Sequence, residues 1–188
     1  MIGSRTLIAD KREDEMEVSY YVAVTLDGFI AEADGSVGFL EQLGEPDPNG
    51  YEAFFNSIDG LLMGRATYDQ ILTFGDWPYG DKPCWVATGR ELESGTRGKA
   101  LSGTPQELVD SIQPNGIQRL WLVGGSRLAG QFANAQLIDK LIASVVPVCI
   151  GSGNPLFQSL QTSHWFGLEQ TFQRNHGVME LHFKAKHK

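Results

Sequence analysis

Three short stretches carry the residue types of an anion-binding site: Met63-Gly64-Arg65-Ala66-Thr67, Ala87-Thr88-Gly89-Arg90 and Val123-Gly124-Gly125-Ser126-Arg127-Leu128. Each begins where an apolar run ends. Two lead directly into segments with helical spacing, whose first backbone N–H groups lack partners and attract anions. Two also set an arginine beside a small hydroxyl residue. A guanidinium can fork onto a phosphate while a hydroxyl or a backbone N–H completes the shell. Taken singly, each is an ordinary glycine turn. Taken together, they describe a site for a ligand with several phosphates, such as a dinucleotide. Two familiar phosphate loops are absent, since the chain has neither G-x-x-x-x-G-K-[ST] nor G-x-G-x-x-G after its first strand.

The elements that would position these turns follow from local patterning. Val18 to Leu26 is rich in β-branched and aromatic residues and reads as a buried strand. Asp27-Gly28 is a turn pair before a second apolar run, Phe29-Ile30-Ala31. A catalytic role for Asp27 is secondary to that turn role. Ala33 to Gly50 holds glycines, prolines and acids without a period and reads as a long loop, with a helix following over Tyr51 to Ile58. Leu61 to Gly64 and Cys84 to Ala87 read as short strands, and Arg65 to Leu72 as a helix. Thr104-Pro105-Gln106-Glu107 is a helix start, with Thr at the N-cap and Glu completing a capping box. Ile117 to Val123 reads as a strand, and Leu128 and Phe132 mark one face of the next helix. Leu137 to Ile150 is apolar, with β-branched residues concentrated from Val145.

The last segment alternates. Met179, Leu181 and Phe183 interleave with Glu180, His182 and Lys184, which predicts a strand with one wet face, and Trp165 to Phe172 is its candidate partner. Strands alternating with helices, then a C-terminal hairpin, predict an α/β fold of three layers, α/β/α. Its sheet is mixed and mostly parallel, with an antiparallel C-terminal pair. In such a sheet, ligands bind beyond the carboxyl ends of the strands, where all three glycine turns would fall. Residues 1–16 are polar and mixed in charge and read as a loose extension, and 17–188 as one domain.

Composition limits the partners. The formal net charge is −8, which argues against nucleic acid, because phosphate neutralisation needs surplus Lys and Arg. No apolar run is long enough to span a bilayer. The two cysteines, Cys84 and Cys149, sit in apolar, strand-like surroundings and read as buried thiols. No residues have metal-ligand spacing, so no metal is expected. A cytoplasmic location is the default reading of a chain without a signal-peptide pattern.

The order VAVTLDGFIA (22–31), LLMGRATYD (61–69), VATGRE (86–91), LWLVGGSRLAGQFA (120–133) and DKLIASVVPVCIGSGNPLF (139–157) resembles the dihydrofolate reductase-like superfamily. Within it, the chain looks like the group related to the C-terminal reductase domain of the bacterial bifunctional deaminase-reductase of riboflavin biosynthesis. The resemblance implies a reductase that binds NADPH and transfers hydride to a small pyrimidine- or pteridine-like heterocycle. It also makes a homodimer an expectation.

Residue by residue, the resemblance places Gly64, Arg65 and Thr67 at the cofactor phosphates and Thr88, Gly89 and Arg90 near the adenosine ribose and its 2′-phosphate. Val123, Gly124, Gly125, Ser126, Arg127 and Leu128 fall at the pyrophosphate loop, and Ala23 and Ile30 beside the nicotinamide. Ser144 matches a small hydroxyl position of the active site, and Asp47 or Glu52 stands near the helix start where dihydrofolate reductases keep an acid. Tyr51, Phe54 and Phe55 either wall the pocket or fill the core. Two departures stand out. Gly89 replaces a serine common before the arginine, and the region after the first turn, EADGSVGFLEQLGEPDPNG, is acidic and lacks Lys and Arg. A phosphorylated substrate meets an unfavourable field there. The expected activities are therefore an NADPH-dependent reductase, with 5-amino-6-(5-phosphoribosylamino)uracil one possible substrate. The alternatives are dihydrofolate reductase proper and a non-catalytic NADP-binding module.

Overall fold

The computed structural model describes residues 15–43 and 48–186. Most of the stretch expected as a loose extension lies outside them, but Met16 is buried at the start of the core. Strand β1 (Glu17–Thr25) runs through the middle of an eight-stranded sheet. The order across it is β5 (Lys99–Leu101), β4 (Cys84–Ala87), β3 (Gly60–Gly64), β6 (Arg119–Gly124), β1, β7 (Lys140–Val146), β10 (Met179–Ala185), β9 (Phe166–Gln173). The first six strands are mutually parallel, β10 runs antiparallel to β7, and β9 runs antiparallel to β10. This is the α/β fold expected, with its antiparallel C-terminal pair.

The parallel strands are apolar because both faces are covered. One core gathers Tyr20, Leu62, Leu120 and Leu122 under α4 (Pro105–Ile112) and α5 (Ser126–Asn134), through Leu108, Ile112, Leu128 and Phe132. The other gathers Leu61, Met63 and Trp121 with Tyr68 and Ile71 of α3 (Arg65–Leu72), backed by Tyr51 and Phe54 of α2 (Pro48–Ser57). The capping box on α4 forms as the sequence predicts, with Thr104 accepting from the Glu107 N–H and Glu107 accepting from the Thr104 N–H.

Four expectations are corrected. The loop from Ala33 to Gly50 contains a short helix, α1 (Gly38–Glu41), which buries Phe39, and α2 begins at Pro48. One apolar anchor leaves no period to read. The apolar run 137–150 is a strand only over β7, where Val145 and Val146 still pair with β1, and Val148 to Ile150 lie beyond it. Cys84 is buried, but Cys149 lies beyond β7 and is exposed. The wet face expected of β10 is inverted at its start, where Glu180 is 3% exposed and Met179 40%.

The Asp27-Gly28 turn forms, with the Gly28 N–H donating to the Thr25 carbonyl at 2.9 Å, but it makes no hairpin. Strand β2 (Phe29–Ala31) leaves the main sheet and pairs with β8 (Asn154–Pro155). A side chain at Gly153 would meet the Ala31 carbonyl oxygen at 2.2 Å, so this pairing requires glycine there.

Candidate active site

The three glycine turns stand at the carboxyl ends of β3, β4 and β6, neighbouring parallel strands, and so share one edge of the sheet. Helices α3 and α5 start directly from them, with Gly64 and Gly125 as N-caps and no side chain capping either. The first intrahelical bond at α5 runs from the Ala129 N–H to the Gly125 carbonyl. The N–H groups of Ser126, Arg127 and Leu128 therefore lie in the unpaired first turn. Gly124 has φ of 116°, a backbone that favours glycine, and the Gly124–Gly125 peptide is cis. The two turns touch: a Cβ on Gly64 would lie 3.7 Å from the Gly124 oxygen, and one on Gly125 3.2 Å from Thr67 Oγ1. Ser126 Oγ is buried at this junction and has no hydrogen-bond partner among the described residues. A buried hydroxyl left unpaired costs about 1–3 kcal/mol, which a polar ligand would offset.

The arginines divide into two kinds. The Arg65 Nε bonds Asp69 Oδ1 at 2.7 Å, and its NH1 reaches the Glu91 carbonyl at 3.3 Å, so Arg65 joins α3 to the loop after β4. Arg90 and Arg127 are exposed, and neither guanidinium is bonded among the described residues. In the same loop Thr88 Oγ1 accepts from the Arg90 N–H, and the Thr88 N–H donates to Leu101. A side chain at Gly89 would meet nothing within 4 Å. Val123 is half-buried in β6, while the Leu128 side chain is 7% exposed and belongs to the core, so only its backbone faces the turn.

Ala23, Ser144 and Glu180 form one rung across β1, β7 and β10, since Ala23 pairs with Ser144 and Ser144 with Glu180. Paired residues point to one face of a sheet. Tyr21, two residues before Ala23, lies on that face, where its ring packs edge-on against Phe54 of α2 at 4.7 Å. Ile30, half-buried on β2, borders the main core, and Ala23 and Ser144 are half-buried. Asp47 lies outside the described residues. Glu52 sits on the exposed side of α2, away from this face.

Asp27 is a clamp: Oδ1 accepts from the Thr25 hydroxyl and Oδ2 from the Ile150 and Gly151 N–H groups at 3.0 and 2.7 Å. It ties the turn after β1 to the segment after β7. The hydroxyl of Thr25, then the backbone N–H groups, hold its pKa below the usual carboxylate value.

The buried carboxylate on the face that carries Tyr21, Ala23 and Ser144 is Glu180, which the sequence reading assigned to a wet face. Its Oε1 accepts from Arg174 at 2.6 Å and lies 2.7 Å from His182 Nε2, while Oε2 accepts from the Tyr21 phenol at 3.1 Å. The first turn of α2 closes over it, since a Cβ on Gly50 would approach Glu180 Oε2 to 2.9 Å and Arg174 NH2 to 2.8 Å. Burial pushes the Glu180 carboxyl up, but the bonds from Arg174 and His182, with Arg174's charge, outweigh it, and the pKa falls below the ordinary value. Burial, then the Glu180 charge, pushes the Tyr21 phenol up to about 12.

A lowered folded pKa has a fixed sign in stability. The contribution of Glu180 is complete above the unfolded carboxylate value of about 4.3 and is lost as pH falls through the lower folded value. Urea unfolding between pH 5 and pH 3 is therefore expected to show a smaller loss of stability in Glu180→Gln than in the wild type. Equal losses would contradict this role for Glu180. An alternation pattern shows that one face of a strand is polar. It does not show that Arg174 and Tyr21, 6 and 159 residues away, wait to pair with it.

Comparison with known proteins agrees with this fold. Residues 17–179 match the model of the RibD C-terminal domain, and the chain belongs to that family. It is 32% identical to the uncharacterized protein YwjB of Bacillus subtilis (strain 168) over 171 residues, 90% of this chain and 98% of that one. A protein of Shewanella sp. PV-4 named for riboflavin biosynthesis superposes with a TM-score of 0.83 at 27% identity, covering 92% of this chain and all of that one. Dihydrofolate reductase from Enterococcus faecalis, solved with NADP(H), shares the fold with a TM-score of 0.61 at 14% identity, covering 91% of this chain and 97% of that enzyme. Membership in this family makes the chain a reductase-like protein.

Proposed function

We propose that the chain is an NADPH-dependent reductase acting on a small, unphosphorylated heterocycle of pyrimidine or pteridine type. The observation that carries this reading is the meeting of two uncapped helix N-termini, α3 and α5, around a buried hydroxyl, Ser126 Oγ, without a partner among the described residues. The residues present fit a dinucleotide: donors gather where phosphate charge would lie, and the bare glycines admit close backbone approach. The NADP(H) of the Enterococcus faecalis enzyme, which has the same fold, supports the choice of cofactor.

In this reading the N–H groups and hydroxyl of the Ser126 turn hold the pyrophosphate, with Gly64, Arg65 and Thr67 beside it. Thr88, Gly89 and Arg90 receive the adenosine ribose and 2′-phosphate. Ala23 and Ile30 border the nicotinamide, and Ser144 faces the substrate. Bound NADPH supplies the hydride. The chain supplies position and a water-poor wall built from Tyr21, Tyr51 and Phe54. Glu32 and Asp34, with Ala33, Ile150 and Ser152, line a cavity of about 510 Å³. That acidic wall repels a phosphate and supports an unphosphorylated substrate over the phosphoribosyl one.

Arg90→Ala tests the assignment. It is expected to weaken NADPH about tenfold and leave NADH unchanged, as loss of one charge-assisted bond to the 2′-phosphate requires. Equal weakening of both cofactors would contradict it. Turnover of dihydrofolate would favour dihydrofolate reductase proper, and NADPH binding without turnover of any pterin or pyrimidine would favour a binding module.

The reading includes a homodimer. Strand β9 is one edge of the sheet, opposite β5, and Leu168 and Phe172 on it are 56% and 37% exposed, with Met179 on the next strand at 40%. A second copy pairing there would cover an apolar edge that chains otherwise protect. A monomer mass in sedimentation equilibrium contradicts it.

A further inference from the structure

Two stretches far apart in the chain leave the sheet side by side. The turn after β1 leads into β2, and the residues after β7 lead into β8, with which β2 pairs. Glu32, Ala33 and Asp34 of the first stretch and Ile150 and Ser152 of the second line the cavity of about 510 Å³. Asp27 joins these two walls with both of its oxygens. Oδ2 accepts from the Ile150 and Gly151 N–H groups, 123 and 124 residues away. Oδ1 accepts from the Thr25 hydroxyl, and Thr25 Oγ1 in turn accepts from the Phe29 N–H at 3.0 Å. One carboxylate thus holds the start of β2 and the facing wall together. What it holds is an irregular stretch. Phe29 pairs with Pro155 and Ala31 with Asn154, but Ile30, between them, has no partner in that ladder. Such an extra residue interrupts the pairing, so its position depends on what holds its flanks. On one flank, Phe29 is tied to Asp27 through Thr25. On the other, the Ala31 carbonyl lies against the backbone at Gly153, where a Cβ would stand 2.2 Å from its oxygen.

We propose that Asp27 is a positioning residue for the nicotinamide end of the cofactor, holding the unpaired Ile30 in place so that the pocket for that ring is formed before the ring arrives. This rests on the reading above in setting the nicotinamide beside Ala23 and Ile30. It adds the residue that makes the place rigid. Asp27 itself touches no ligand, since its oxygens are occupied by three donors. A place already formed raises affinity because binding does not have to order it. Other bonds keep the turn when Asp27 is lost. The Leu26 N–H donates to the Val148 carbonyl at 2.8 Å, and the Leu156 N–H to the Gly28 carbonyl at 2.9 Å. Removing the carboxylate therefore loosens this corner and leaves the glycine turns at α3 and α5 as they are.

Two ligands separate the ends of the site: NADPH, and 2′-phospho-ADP-ribose, which lacks the nicotinamide. Both are titrated calorimetrically into the full chain. The wild type is expected to bind both, NADPH the more tightly. Asp27→Ala is expected to weaken NADPH about tenfold and leave 2′-phospho-ADP-ribose unchanged. Amide hydrogen exchange of the free protein is expected to quicken at Phe29, Ile150 and Gly151. Asp27→Asn keeps an oxygen for the Ile150 and Gly151 N–H groups and is expected to recover most of both effects. Thr25→Val is close in shape and removes the link to Phe29. It is expected to weaken NADPH selectively in the same way, with faster exchange at Phe29, and serves if Asp27→Ala fails to fold.

Equal weakening of both ligands would overturn the proposal, as would unchanged NADPH affinity or unchanged exchange in the folded variants. So would equal binding of the two ligands by the wild type. In each of these cases the wild type still binds NADPH, and the cofactor reading stands. A wild type that binds neither ligand would refute the cofactor reading and this proposal with it.

Discussion

Gly125→Val is expected to lower NADPH affinity by at least about a hundredfold, roughly 2.7 kcal/mol, with the fold intact. Gly125 is the N-cap of α5 with φ of −75°, a backbone that any residue adopts. A Cβ there would meet one atom within 4 Å, Thr67 Oγ1 at 3.2 Å, which a small side-chain rotation relieves. The protein itself tolerates valine, so stability is expected to change by less than about 1 kcal/mol. The ligand does not tolerate it, because the added methyl groups occupy the space through which the Ser126 and Arg127 N–H groups would reach a phosphate. Calorimetric titration beside a urea melt separates the two effects. Unchanged NADPH affinity in a folded variant would place the pyrophosphate elsewhere.

Gly130→Ala is expected to be the more damaging change to the fold, by about 3 kcal/mol or more. In a free helix this substitution stabilises by about 1 kcal/mol. Here the sign reverses, because a Cβ on Gly130 would stand 1.9 Å from the Gln158 carbonyl oxygen and 3.0 Å from its carbon. Both are backbone, so no flexible side chain can give way. The segment around Gln158 is strapped onto α5 by bonds from the Gln158 N–H to the Ser126 carbonyl at 3.1 Å and from Asn134 Nδ2 to Ser159 at 2.9 Å. Displacing it also disturbs the Ser126 turn, so cofactor affinity falls with stability. Chemical denaturation that finds Gly130→Ala as stable as the wild type would show that this contact is not close-packed in solution.

Much of the glycine-turn edge was legible because its signals are local. A glycine after an apolar run and a helix start four residues long each act within one turn of chain. Helix α3 and strand β4 accordingly have the predicted bounds, and α4 the predicted cap. Short elements with one anchor were not legible. Strand β5 is three residues, two of them exposed, and β8 is two residues whose pairing with β2 depends on glycine at 153. The face that carries Ala23, Ser144 and Glu180 was least legible, because it is made by register between distant strands. Nothing near Glu180 announces that Ser144 and Ala23 will stand beside it, or that Arg174 will fold back over it. The acids that the resemblance brought forward, Asp47 and Glu52, stand in sequence near the helix start. The buried carboxylate comes from the last strand.

A calorimetric titration of the purified chain with NADPH and then NADH tests the central claim most directly. Binding of NADPH with at least about tenfold weaker binding of NADH, the worth of a charge-assisted contact to the 2′-phosphate, is the result predicted. Absence of heat and of competition with either cofactor would contradict it, and the glycine turns at Gly64 and Gly125 would then be turns alone.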